Sequence, residues 1–157
     1  MVKRLIGIFV AVVVGASIAV APVPARAQEG MDLEKVQLML LGLIAVHSSS
    51  VMTMDAFQAR ALTKEEAQAE VARNEKFLAV LMKSGTDMKE RLALDNQTDL
   101  AFIQDYLQVC TYVQLELESL KAYAEGEKEL DQKLFDRYVA KSEEAMTRLL
   151  KEQSHEE

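Results

Sequence analysis

The sequence of 157 residues predicts an all-α protein, an antiparallel up-down-up-down four-helix bundle behind an N-terminal signal peptide. Three observations carry that expectation. Pro22 and Pro24 are the only prolines and both lie within the first 27 residues, so nothing beyond them forces a helix to stop. Apolar residues then recur at alternating intervals of three and four in four successive stretches, the spacing of one face of a helix. The polar breaks between those stretches span only a few residues, too short for a crossover, so consecutive helices must run in opposite directions.

Residues 1–27 have the order of an export signal. MVKR supplies a cationic tip, Leu5 to Ala21 is apolar and uncharged, and Pro22-Val23-Pro24 precedes the small residues Ala25 and Ala27. Cleavage after Ala27 would leave one domain of about 130 residues, 28–157. The whole chain carries −7, and because Lys3, Arg4 and Arg26 belong to the signal, the mature chain stands at about −10. The expected location is the periplasm or the exterior, with an uncleaved inner-membrane anchor as the alternative. No cysteine adjoins the junction, which excludes lipid attachment there. A single cysteine also excludes a disulfide scaffold.

The first helix, about 32–61, carries the stripe Val36, Leu40, Leu43, His47, Ser50, Met54, Phe57 and Ala61. Thr63 opens the second, about 64–93, through a capping box with Glu66. Its stripe is Ala67, Val71, Asn74, Leu78, Leu81, Gly85, Met88 and Leu92, and it passes through Ser84-Gly85-Thr86-Asp87 without a change of phase, which predicts a continuous helix there. Asp95-Asn96-Gln97 is the next polar break. The third helix, about 97–125, follows with Ile103, Tyr106, Cys110, Val113, Leu117, Leu120 and Ala124, and Gly126 is expected to close it in the left-handed conformation. The fourth, about 128–152, is expected to bury Leu130, Leu134, Phe135, Tyr138, Ser142, Ala145 and Leu149. Aligning the stripes antiparallel sets Gly85 beside Tyr106, where the missing side chain makes room for the ring, and puts His47, Leu81, Cys110 and Ser142 in one layer.

His47 and Cys110 are the two soft-metal ligands outside the C-terminal tail, and both fall at mid-bundle. They are candidate ligands for a transition metal or haem. The plainer reading is a neutral histidine hydrogen-bonded to Ser50, Ser142 or Tyr106, next to a thiol that packs as a small hydrophobe. Two ligands do not complete a four-coordinate site, so no cofactor is called for. Met31 or Met39 and His155 occupy roughly the ligand positions of bundles resembling cytochrome b562, but His155 lies in the charged tail Ser154-His155-Glu156-Glu157, a place for a solvated histidine. Covalent haem is excluded, because Cys110 is followed by Thr-Tyr-Val-Gln and no Cys-x-x-Cys-His exists. Glu152-x-x-His155 has the spacing of di-iron bundles, which need a second copy that this chain lacks.

The sequence contains no Gly-rich phosphate loop, nucleophile elbow or His-Glu-x-x-His pair, and the expected turns are too short to build an active site. A non-enzymatic protein is therefore expected. An acidic mature chain also excludes nucleic acid and anionic membrane as partners, and stable membrane insertion is not expected once the signal is cleaved. Charged residues, Glu116 and Glu118 among them, read as outward-facing.

The first helix is more apolar than a bundle position requires. Leu38 to Val46 reads LMLLGLIAV, apolar on every side for more than two turns. Leu38, Leu41, Gly42 and Ala45, continued by Met52, would form a second stripe on the outer side, where only a partner would cover it. The expected partner is a second copy of the chain, as a homodimer, or another envelope protein. Met39, Met52 and Met54 suit an adaptable contact surface and equally suit a core.

Overall fold

A computed structural model describes residues 33–92 and 97–154. The expected signal segment, Met31, His155 and most of the break at 95–97 lie outside the described residues. Four helices pack against one another, with no strand among the described residues: α1 (Leu33–Gln58), α2 (Lys64–Arg91), α3 (Gln97–Gly126) and α4 (Glu129–Ser154).

The α3 helix is the hub. It touches all three other helices, whereas α2 and α4 do not touch and α1 only brushes α4. Its buried face is correspondingly wide: Tyr106, Val109, Cys110, Val113, Glu116, Leu117 and Leu120 are all enclosed. One large hydrophobic core runs through the four helices, joined by a small cluster of Phe57, Ala67 and Ala124 at one end. Phe57 and Tyr123 meet edge to face there, with ring centroids 6.1 Å apart.

α2 begins at the Thr63 cap. The Thr63 hydroxyl accepts from the Glu66 backbone N–H at 3.2 Å, and the Thr63 N–H donates to the Glu66 carboxylate at 2.8 Å. Two donors that the helix leaves free are thus satisfied reciprocally. α2 then runs unbroken through Gly85. A Cβ on Gly85 would lie 2.9 Å from Leu107 Cδ2 and 3.0 Å from Tyr106 Cε1, so the bare backbone accommodates both side chains.

The helix ends differ from the sequence expectation. α1 stops at Gln58, and Ala61 is exposed rather than part of the buried stripe. Arg60 takes a left-handed φ of 58°, with Arg60 N–H donating to Phe57 O and Ala61 N–H to Ala56 O. This is a Schellman closure built on arginine instead of glycine. At the end of α3 the left-handed residue is Glu127, with φ of 49°, and Gly126 is not in that region. α3 thus extends one residue further than expected, and the Glu127 N–H returns to Tyr123 O. The two left-handed residues are joined to each other: Arg60 donates twice to the Glu127 carboxylate, at 2.8 and 2.9 Å. Leu130 also departs from expectation. It sits in the first turn of α4 and is exposed, because α4 is not yet seated on its neighbours there.

Candidate functional site

The outer side of α1 carries no Asp, Glu, Lys or Arg from Val36 to Met54. Leu38 is 63 % exposed and Met52 70 %, and Leu41 and Ala45 are exposed between them. Large apolar side chains at such exposure on one continuous face are uncommon on a lone soluble domain. On α2, Phe77 is exposed beside Gly42 of α1, and Val80 is exposed as well. The two helices are tightly joined: a Cβ on Gly42 would lie 3.0 Å from Leu81 Cδ2 and 3.3 Å from Phe77 Cζ. Gly42 is accordingly half-buried, serving as the seat on which α2 approaches α1, while Leu38, Leu41, Ala45 and Met52 stay on the open side. Ser49, on the same side, accepts a hydrogen bond from Asn74 Nδ2 at 2.9 Å, so the polar core residue Asn74 is used to tie the two helices together. By length and composition Glu34–Gln58 is also apolar enough to cross a membrane.

A second notable site lies inside. His47 is buried, and its Nδ1 stands 3.0 Å from both carboxylate oxygens of Glu116, which is itself fully enclosed. The imidazole and the carboxyl group share that hydrogen bond, and the tautomer of the ring sets which of them donates. The Ser50 hydroxyl lies within 2.8 Å of both Glu116 Oε2 and the His47 carbonyl. A carboxylate with no exposure is tolerable only because these donors replace water. On the other side of the ring, Nε2 has no hydrogen-bond partner among the described residues, and Glu143 Oε1 is 4.0 Å away. The Ser48 and Ser142 hydroxyl oxygens are likewise buried without a hydrogen-bond partner among the described residues.

Glu116 corrects the expectation that it faces outward. Positions 109, 113, 116 and 120 form a second stripe beside 106, 110, 113 and 117. A helix with two adjacent stripes is central to the bundle, and Glu116 falls in the middle of the second. That spacing was the available signal, masked by the charge of the residue. His47 was expected to bond to Ser50, Ser142 or Tyr106; Glu116 takes that place and Ser50 joins through the carboxylate.

His47 and Cys110 have separate polar partners. Burial pushes the Cys110 thiol up to about 11, against an opposing pull from the neighbouring Tyr106 hydroxyl. Burial likewise raises the Tyr106 hydroxyl, with Cys110 adding to the rise. The Tyr106 hydroxyl also lies 3.4 Å from the Leu81 carbonyl. Among the described residues no three His, Cys, Asp or Glu side chains are grouped to hold a metal ion. The polar core does not have the order of a serine hydrolase either: Ser50 bonds the carboxylate rather than the imidazole, so no hydroxyl is activated by His47 through a hydrogen bond. No family model, curated protein or solved structure matches this chain.

Proposed function

We propose that this chain is an exported binding protein, periplasmic or secreted after loss of residues 1–27, that folds up-down-up-down and acts without catalysis by protein–protein contact through the outer face of α1 and α2. The carrying observation is the uncharged surface of Leu38, Leu41, Ala45 and Met52, with exposed Phe77 beside it. Burying such side chains against a partner is worth about 25 cal/mol per Å2, and no charged residue lies on α1 between Val36 and Met54 to be desolvated. The topology has its own support. Gly42 meets Leu81 and Phe77 while the later Ser49 meets the earlier Asn74, as in oppositely directed neighbours. Successive pairs between α1 and α3, at His47–Glu116, Phe57–Tyr123 and Arg60–Glu127, run in the same direction, as alternate helices of such a bundle do.

The test is site-specific photocrosslinking in bacteria that export the chain. A photoreactive residue at Leu41 should yield a protein adduct of defined mass, and one at the exposed Gln104 on α3 should not. No adduct from position 41, or equal adducts from both, would overturn the reading.

A further inference from the structure

The geometry points to a site for one transition-metal dication of the Zn2+ class on the seam between α1 and α4, with His47 Nε2 and the Glu143 carboxylate as its protein ligands. The site is separate from the open face of α1 and does not depend on the binding reading. His47 is 2 % exposed, yet its Nε2 has no hydrogen-bond partner among the described residues. A buried imidazole nitrogen with nothing bonded to it calls for an explanation. What it faces is acidic: Glu143 Oε1 lies 4.0 Å away, too far for a hydrogen bond. That separation suits two ligands of one ion. With metal–nitrogen and metal–oxygen bonds of about 2.0–2.2 Å, the two ligand atoms stand about 3.4 Å apart at a tetrahedral angle and about 4.2 Å apart in line.

The opposite side of the ring carries the support such a ligand needs. Metal-binding histidines characteristically give their second ring N–H to a carboxylate, which fixes the tautomer and the ring orientation. Glu116 stands in that relation to Nδ1, at 3.0 Å, and the Ser50 hydroxyl donates to Glu116 Oε2 at 2.8 Å. An ion on Nε2 sets the ring proton on Nδ1, which then donates to Glu116. Its charge also offsets the two carboxylates that flank the ring. Two protein ligands leave the other coordination positions to water. Ser142, the residue before Glu143, has a buried hydroxyl with no partner among the described residues, which a metal-bound water can satisfy. Glu143 is 49 % exposed, so the ion has an approach from solvent. An imidazole in the donor set favours Zn2+, Ni2+ or Cu2+ over Mg2+ and Ca2+. Bound there, the ion ties together α1 and α4, which otherwise only brush each other.

The test is calorimetric titration of the untagged chain with ZnCl2 at about pH 7, in a His155→Gln background. That change removes the tail histidine and leaves His47 as the only one. One equivalent should bind, and the NMR resonance of His47 Nε2 should move while Nδ1 keeps its proton; MgCl2 should do neither. Glu143→Gln should raise the dissociation constant about tenfold or more, at least what losing an outer-shell partner costs, with an unchanged circular dichroism spectrum. Glu144→Gln, at the neighbouring exposed position, should leave it unchanged. Absence of Zn2+ binding, binding that leaves the His47 resonance in place, or equal weakening by Glu143→Gln and Glu144→Gln would overturn the inference, and none of these results touches the binding reading.

Discussion

Glu116 is the residue whose loss should be felt most. Glu116→Ala removes the hydrogen-bond partner of His47 Nδ1 in a site that water does not reach, and leaves the Ser50 hydroxyl only the His47 carbonyl. Breaking a buried pair on one side costs about 3–5 kcal/mol, so urea unfolding followed by circular dichroism should show a loss of that size. Replacing both partners, His47→Leu with Glu116→Leu, should cost less than the two single changes summed, because no orphaned charge remains. Two glycines make a second contrast. Gly85→Ala drives a Cβ into Leu107 and the buried Tyr106 ring, and should destabilise by about 1 kcal/mol or more despite the better helix former. Gly42→Ala meets the far ends of Leu81 and the exposed Phe77, which can give way, and should fall within about 0.5 kcal/mol of the parent in the same measurement. The raised Cys110 thiol should react slowly with a disulfide reagent at pH 8 in the native state and rapidly in denaturant.

Among the elements, α2 was the most legible in the sequence, because its defining bonds are local. Thr63 and Glu66 are three residues apart, and their reciprocal bonds can be read from that spacing alone. Thr63→Ala should cost about 1 kcal/mol near neutral pH. The Glu66 carboxyl is held below the ordinary carboxylate range, first by the Thr63 backbone N–H and then by its hydroxyl. Its folded-state pKa is depressed, so this contribution is present above the unfolded value and lost as pH falls through the folded one. The gap between parent and T63A should therefore narrow in acid and be constant above neutral pH. The ends of α1 and α3 were not legible in this way. Arg60 and Glu127 are ordinary residues in left-handed backbone, and what joins them is an ion pair across 67 positions of sequence. Local spacing carries no trace of such a partner.

For the molecule as a whole, periodicity supplied the helical class and the approximate helix spans, since four stripes without proline leave few other ways to bury them. The central place of α3 was harder to see. It depends on which helices meet, and the burial of Glu116 follows from that arrangement rather than from its residue type. The open stripe on α1 could be read because it is an excess of apolar residues over what one buried face requires. If that stripe takes up a second copy, the thermal midpoint of the parent should rise with protein concentration, and that of L41D should not.

The slight contact between α1 and α4 also determines which part of the protein opens first. α1 is held by α2 and α3, and on its side toward α4 His47 Nε2 and the Ser48 and Ser142 hydroxyls have no hydrogen-bond partner among the described residues, so separating α1 from α4 breaks few bonds. Amide hydrogens of α3 should accordingly exchange most slowly, and those of α1 should exchange through a partial opening well below the free energy of global unfolding. If a second copy clamps α1, that opening becomes rarer as concentration rises, so the least-tied helix of the monomer becomes one of the better protected in the dimer.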